Sequence, residues 1–192
     1  MGLFVWLDRG VVTPVRRGRV SSQQQGASQD LARYDGKTFV VTRVVDGDTL
    51  HIDASDGDSP VTKIRLLGID APEAADDEQG QMYYAREATE FVQQVAHGQP
   101  VTLYLDEAGH TRGHYGRLLA YVELPEGRLL NDVLLLEGYA YADLRFRHGR
   151  YQKCQQLEAA ARSLRKGLWA EVSREQLPAW LQRMQPDLLT RP

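Results

Sequence analysis

Two aspartates separated by one glycine are the first candidates for chemistry in this sequence. Asp46 and Asp48 lie between two runs of β-type residues, and side chains two positions apart in extended chain point the same way. Paired carboxylates supply the oxygen ligands that Ca²⁺ prefers. The alternative is a hairpin turn, because Asp-Gly is among the commonest short-turn dipeptides. The tripeptide recurs at residues 56–58 in a Ser/Pro-flanked turn, where only the turn interpretation applies.

The segment IRLLGIDAPE places an arginine, Arg65, among apolar side chains. Apolar residues at both parities predict a strand that is buried on both faces, so the guanidinium must find an anion there. A structural carboxylate, Asp70 or Glu73, is one candidate anion, and a bound phosphate is the other. Pro72 favours an extended conformation at Ala71, which can present the Ala71 carbonyl as a further oxygen ligand.

Three further residues stand in weaker patterns. Arg117 lies on the parity opposite to the apolar face of its strand, a position that alone is most typical of a solvated arginine. His110 and His114 have a spacing that could suit zinc. The glycines around them predict a flexible loop and no cysteine accompanies them, so we expect no zinc site.

Short β-type runs and helical segments must position these residues. Composition and alternation predict five strands, at residues 38–45, 49–53, 61–69, 101–105 and 117–124. Helical spacing and glycine stops predict helices at residues 79–97, 133–137 and 150–166. This order favours a mainly β fold with helices, a five-stranded OB-fold barrel with about three α-helices. An open α+β sheet is the alternative.

Composition divides the chain into three parts. Residues 1–33 are expected to be a poorly ordered leader, because their apolar cluster is too short for a secretory signal and their basic cluster lies on its wrong side. One domain is predicted for residues 34–170, followed by a C-terminal tail, residues 171–192, with one or two short helical turns. No apolar run approaches the roughly 20 residues that span a bilayer.

The charge balance bears on possible partners. The chain has 23 Lys and Arg against 26 Asp and Glu, a net charge of -3, which alone argues against a protein that coats a polyanion. Cations nevertheless concentrate in residues 145–166, where Glu158 is the single carboxylate. This basic segment is either a face that binds a nucleic-acid backbone or a solvated helix face.

Several motifs occur in the order and near the spacing of the staphylococcal nuclease (thermonuclease-like) family. They are VVDGDTLHI, RLLGIDAPE, HYGRLLAYVEL and LLNDVLLLEGYAYADLRF, with a closing helix to GLWAE. The chain resembles this family over roughly residues 37–170. The resemblance implies an OB-fold barrel and a Ca²⁺-dependent phosphodiesterase that acts on DNA and RNA and leaves 3′-phosphates.

The resemblance also implies roles for individual residues. It implies calcium ligands at Asp48 and Asp70 as direct carboxylates, Asp46 as a largely water-mediated one, and Ala71 through its carbonyl. It matches the family's catalytic trio to Arg65, Glu73 and Arg117. It implies substrate contacts at Tyr115, His114 and Phe146, with His114 replacing a lysine and Leu144 and Phe146 near stacking tyrosines. The loop at residues 74–79 is acidic where the archetype is lysine-rich.

Two other functions remain open from the residues alone. The first is a non-catalytic OB-fold module that binds nucleic acid or protein. Such a module would be favoured if the carboxylates or arginines of the site were missing, and all of them are present. A structural metal-binding domain would have no use for Arg65 and Arg117. We expect a monomer, and the resemblance suggests an exported or envelope-associated protein.

Overall fold

A computed structural model describes residues 22–73, 80–106 and 110–189 of the chain. In these ranges seven strands form a closed barrel of five and a separate two-stranded sheet. The barrel strands are β1 (Lys37–Val44), β2 (Thr49–Ile52), β3 (Thr62–Leu66), β5 (Pro100–Tyr104) and β6 (Leu118–Glu123). They follow the order β1-β2-β3-β6-β5, and β5 pairs with β1 to close the barrel. The small sheet pairs β4 (Ile69–Asp70) with β7 (Tyr141–Ala142).

Helices surround the barrel. The described residues form five α-helices, α1 (Ser22–Tyr34), α2 (Ala85–Ala96), α3 (Leu130–Leu136), α4 (Tyr151–Ser163) and α5 (Ala179–Met184). Two short 3₁₀-helices, Gly167–Ala170 and Arg174–Gln176, link α4 to α5. No helix within the described ranges is long and apolar enough to cross a membrane.

The barrel encloses an apolar core because alternate strand residues point inward. Its largest fully buried side chains include Leu50, Ile52, Ile64, Leu66, Leu103 and Leu118. Helix α2 buries Ala85, Ala88, Val92 and Ala96, one stripe at helical spacing. The chain leaves α2 at Gly98, whose φ of +73° suits glycine, as the predicted glycine stop requires.

The five-stranded barrel confirms the fold predicted from the sequence, with differences at the helices and at one strand. The predicted strand at residues 61–69 divides into β3 and β4, because the chain turns at Gly68, where φ is +80°. A Cβ at this glycine would also collide with the His148 ring. The two α-helices beyond the expected three are α1 and α5.

Helix α1 occupies residues that the sequence assigns to the leader. Its composition is polar, and its place is set by tertiary contacts, since the side chain of Tyr34 is fully buried and its hydroxyl lies 3.1 Å from the Thr62 hydroxyl. Residues 1–21 of the leader, the acidic loop at 74–79 and residues 190–192 of the tail lie outside the described residues.

Candidate active site

Three adjacent strands bring two arginines to one side of the barrel. Thr49 in β2 lies opposite Arg65 in β3, and Arg65 lies beside Leu119 in the parallel strand β6. Arg117 precedes Leu119 by two positions, so it points to the same side as Arg65. The pairing of β2, β3 and β6 therefore juxtaposes residues that are far apart in the sequence.

Asp48 lies at the centre of this arrangement. Its side chain is buried. Its Oδ2 accepts a hydrogen bond from the backbone N–H of Ala71 at 2.8 Å and forms an ion pair with Arg65 Nη1, which lies 2.6 Å away. Its Oδ1 accepts a hydrogen bond from the Thr49 hydroxyl at 3.1 Å. These contacts join the end of β4 to the start of β2.

Asp70 receives hydrogen bonds from three side chains. Its Oδ1 accepts from Arg65 Nη2 at 2.6 Å and from Arg145 Nη2 at 2.9 Å. Its Oδ2 accepts from the indole N–H of Trp180 at 2.8 Å. One guanidinium, that of Arg65, thus bridges the two buried aspartates, Asp48 and Asp70. Of the carboxylates that the sequence predicts as partners of Arg65, the structure pairs it with Asp70, and it adds Asp48, which the sequence did not predict as a partner.

Arg117 is connected to the same network through a threonine. Its Nη1 donates a hydrogen bond to the Thr49 hydroxyl at 3.1 Å, and that hydroxyl in turn donates to Asp48. Arg117 is therefore half-buried and engaged, not the freely solvated arginine that its position alone suggests. Sequence reasoning did not single out Thr49, although its position directly after Asp48 at the start of β2 was a usable signal.

Glu73 lies at the exposed rim of the site. The chain is held there by Met82, whose backbone N–H donates to the Glu73 carbonyl oxygen at 3.1 Å. Partial burial, followed by the carboxylates of Asp46 and Asp70, raises the pKa of Glu73 above its ordinary value. The two arginines, Arg65 and Arg117, act in the opposite direction. The Glu73 carboxylate therefore lies within electrostatic range of both arginines.

The loop that carries Asp46 and Asp48 needs its central glycine. A Cβ on Gly47 would lie 2.7 Å from the Cβ of Ala71 and 3.0 Å from the Cβ of Ala88, both closer than carbon atoms normally approach. Within the loop, Asp46 Oδ1 accepts a hydrogen bond from the Asp48 N–H at 2.9 Å. Gly47 thus lets the two aspartates sit against α2 and the end of β4.

The oxygen donors of this site are of the chemical type that hard divalent cations bind. Asp48 is only 4% exposed, and its burial, together with the carboxylates of Asp46 and Asp70, raises its pKa well above the ordinary range. A bound cation would stabilise the ionised form. No cluster of three or more His, Cys, Asp or Glu side chains in the described ranges is arranged to hold a metal ion. Two carboxylates, the Ala71 carbonyl and water are nevertheless ligands that Ca²⁺ accepts.

Exposed aromatic rings flank the site. Tyr115 is 80% exposed and Phe146 is 65% exposed, which is unusual for side chains of this size. The guanidinium of Arg117 lies 5.8 Å from the centre of the Tyr115 ring, and the His114 ring meets Tyr115 edge-on at 5.1 Å. Leu144, by contrast, is buried and has no surface for stacking.

Most cations of the basic segment, residues 145–166, are held in ion pairs. Four of its arginines and lysines have carboxylate partners, in the pairs Arg145–Asp143, Arg150–Asp132, Arg162–Glu158 and Lys166–Glu137. Arg147 stacks over the Tyr151 ring at 4.1 Å. Four of the seven cations of this segment are therefore paired with carboxylates of the fold, which reduces the charge available to bind a nucleic-acid backbone.

The loop before Arg117 is tied to helix α1. Asp30 in α1 accepts hydrogen bonds from Arg112 at 2.7 and 2.9 Å and from the Thr111 hydroxyl at 2.8 Å. Arg112 also donates to the Gly116 carbonyl at 3.0 Å and pairs with Asp56. Asp56 belongs to the second Asp-Gly-Asp tripeptide, which thus has a structural partner rather than a place in the site.

The fold and the site define a class of protein, a small OB-type barrel whose β2-β3-β6 side holds buried aspartates against arginines. The sequence model of the staphylococcal nuclease homologue family matches residues 63–171. The chain belongs to this family. The match begins after Asp48 and ends before Trp180, so both ends of the described site lie outside it.

Individual relatives agree with this membership. A thermonuclease of Staphylococcus hyicus is 33% identical over 144 residues, which cover 74% of this chain and 82% of that protein. A thermonuclease of Staphylococcus intermedius is 31% identical over 135 residues, covering 70% of this chain and 77% of the relative. Endonuclease YhcR of Bacillus subtilis is 33% identical over 165 residues, 80% of this chain but 13% of that much longer protein.

Proposed function

We propose that this protein is a nuclease that hydrolyses phosphodiester bonds in DNA and RNA, depends on Ca²⁺ and leaves 3′-phosphates. The observation that carries the proposal is the linked set of Arg65, Arg117 and the buried pair Asp48 and Asp70 on one side of the barrel. The relatives named thermonuclease and endonuclease support the nuclease activity.

The two arginines are suited to the charge that develops on a phosphodiester. Attack at phosphorus places additional negative charge on the non-bridging oxygens and on the leaving oxygen. Guanidinium groups donate paired hydrogen bonds to such oxygens. Arg65 and Arg117 each have partners on the protein side, which hold them at the site before substrate binds.

Asp48, Asp70 and the carbonyl of Ala71 would hold Ca²⁺, with Asp46 nearby through water. When bound, Ca²⁺ would neutralise a phosphate oxygen and lower the pKa of the attacking water. The role of the protein is to supply buried anionic ligands of fixed orientation, and the hydrogen bonds to both aspartates do this.

Glu73 would accept the proton of the attacking water. Its position at the exposed rim gives water access, and its raised pKa brings its basicity closer to that of an efficient general base at neutral pH. The P–O5′ bond breaks as the new P–O bond to water forms, so the 5′ oxygen is the proposed leaving group. The proton that Glu73 accepts is released to solvent at the same rim, and the departing 5′ oxygen takes up a proton from solvent to leave as a hydroxyl.

Tyr115 and Phe146 would contact the bases of the substrate. Exposed aromatic rings stack on bases of any sequence and make no contact that requires a particular sugar, which supports the proposed activity on both DNA and RNA. The ring of His114 supports Tyr115 edge-on.

A cleavage assay tests the proposal. Purified protein is incubated with single-stranded DNA or RNA in Ca²⁺, in Mg²⁺ or in EDTA, beside the variants Glu73→Gln, Arg117→Ala and Arg128→Ala. We expect cleavage in Ca²⁺ only, slowed at least ~100-fold in the first two variants. Arg128→Ala is the matched control, because Arg128 is an exposed arginine paired with Glu126 on the surface, and it should cleave normally.

The ends of the products test the bond that breaks. A polymerase should extend the DNA products only after phosphatase treatment, because a 3′-phosphate blocks extension. Nucleic acid that binds but stays intact in every metal would show a binding module instead, and intact nucleic acid without binding would refute both functions.

A further inference from the structure

The C-terminal segment after residue 171 reaches the site through one tryptophan. Helix α5 is anchored by Leu181, and the segment before it by Leu177, both buried. Trp180 is 9% exposed, and its indole N–H donates to Asp70 Oδ2 at 2.8 Å. The segment lies beyond the part of the chain that matches the family model.

The contacts of Asp70 show what this hydrogen bond does. Oδ1 has two donors, Arg65 and Arg145, which satisfy both of its lone pairs. Oδ2 has one donor among the residues that the structure describes, Trp180, which leaves one lone pair of Oδ2 without a donor from them. With donors on both oxygens, the carboxylate cannot rotate without breaking a hydrogen bond.

Arg145 joins Trp180 to this contact. Its guanidinium lies 4.6 Å from the centre of the Trp180 ring, and its Nε donates to Asp143 at 2.8 Å. Trp180, Arg145 and Asp70 therefore form one packed unit. The indole is the uncharged member of the unit, so its effect on Asp70 is on orientation and not on net charge.

We propose that Trp180 is a positioning residue for Asp70: its N–H holds the carboxylate in the orientation that binds the divalent cation, and the C-terminal segment thereby sets metal affinity. This inference rests on the proposed function, since it takes Asp70 to be a metal ligand. Loss of a donor that orients a metal ligand typically weakens metal binding by about 10- to 100-fold.

The matched control is a second buried tryptophan in the same chain. Trp169 is 6% exposed, and its indole nitrogen has no hydrogen-bond partner among the described residues. Trp180→Phe replaces an indole by the smaller phenyl ring and removes the N–H donor to Asp70. Trp169→Phe makes the same change of ring at a position where the indole N–H has no partner among the described residues. The difference between the two variants therefore reports the contacts of Trp180 with Asp70 and Arg145, apart from the general effect of losing a buried indole.

The test is isothermal titration of the full-length protein with Ca²⁺ alone, with circular dichroism to verify folding. We expect Trp180→Phe to bind Ca²⁺ at least about 10-fold more weakly, and Trp169→Phe to bind within about twofold of the unaltered protein. Because the role is to orient a ligand, saturating Ca²⁺ should return cleavage by Trp180→Phe close to the unaltered rate.

If Trp180→Phe does not fold, 3-benzothienylalanine introduced at position 180 takes its place, since it keeps the bicyclic shape and replaces N–H by sulfur. Equal Ca²⁺ affinity in the unaltered protein and the variant at position 180 would overturn the inference and leave the proposed function standing. Absence of Ca²⁺ binding by the unaltered protein would overturn both.

Discussion

Glu158 packs against the small sheet that carries Asp70, and it offers a test of how burial raises the pKa of a carboxyl group. It lies in α4, is 3% exposed, and its Oε1 accepts a hydrogen bond from the N–H of Ala142 in β7 at 3.0 Å. Strand β7 pairs with β4, which ends at Asp70. Burial raises the pKa of Glu158 to about 7, against the opposing effects of the Ala142 hydrogen bond and Arg162.

The raised pKa makes stability depend on pH with a definite sign. In the unfolded chain Glu158 has its ordinary pKa of 4.5, so between pH 4.5 and about 7 the folded protein holds a proton that the unfolded chain has lost. The stability contributed by this proton is fully present below the unfolded pKa and is lost as the pH rises through the folded pKa. The difference between the folded and the unfolded pKa of Glu158 corresponds to about 3 kcal/mol of stability, at about 1.4 kcal/mol per pH unit.

Glu158→Gln removes the titration and keeps a carbonyl oxygen for the Ala142 N–H. We expect the free energy of unfolding of this variant, relative to the unaltered protein, to increase by about 2–3 kcal/mol between pH 5 and pH 8. Urea unfolding at pH 5, 6, 7 and 8 measures the difference. Glu126→Gln is the control, because Glu126 is exposed in a surface ion pair with Arg128.

If the difference in the free energy of unfolding between Glu158→Gln and the unaltered protein stays constant with pH, burial does not raise the pKa of Glu158. The reasoning would also be refuted if Glu126→Gln showed the same pH dependence, since the effect would then not come from burial.

Two further substitutions test the geometry of the site and its support. Thr49→Val removes the hydroxyl that Arg117 binds and should slow cleavage about fivefold, equivalent to about 1 kcal/mol. Thr102→Val is the control, because the Thr102 hydroxyl bonds Thr38 on the barrel surface, and it should cleave at the unaltered rate. A nuclease assay in which Thr49→Val cleaves as fast as the unaltered protein would show that the Thr49 hydroxyl does not position Arg117. Gly138→Ala places a Cβ against the Lys166 carbonyl at a φ of +74° and should cost more than ~3 kcal/mol, whereas Gly127→Ala, with a φ of +81° and no atom within 4 Å, should cost about 1 kcal/mol. Thermal unfolding compares the pair, and similar losses would contradict the packing argument.

Local pattern was sufficient to predict most of the barrel and part of the site. Alternation and turns determine β1, β2, β5 and β6, because strand faces follow a period of two residues. The requirement that a guanidinium among apolar residues find an anion predicted a partner for Arg65. That partner proved to be two carboxylates at once, because the start of β2 and the end of β4 both lie beside Arg65.

Contacts between distant parts of the chain could not be predicted in this way. Trp180 donates to Asp70 from 110 positions away, and Asp30 binds Arg112 from 82 positions away. Neither residue stands in a periodic or motif pattern, and α1 is too polar to be recognised by its composition.

Residue types and strand periodicity are local properties, so they are enough to predict the kind of chemistry available, a set of aspartates and arginines on a β-barrel. The tertiary structure decided which of these groups meet. The folded chain pairs most cations of residues 145–166 and links Arg117 to Arg65 through Thr49 and Asp48. The physical reason is that ion pairs and buried hydrogen bonds depend on separation in space, which closure of the barrel and docking of α1 and α5 alone establish.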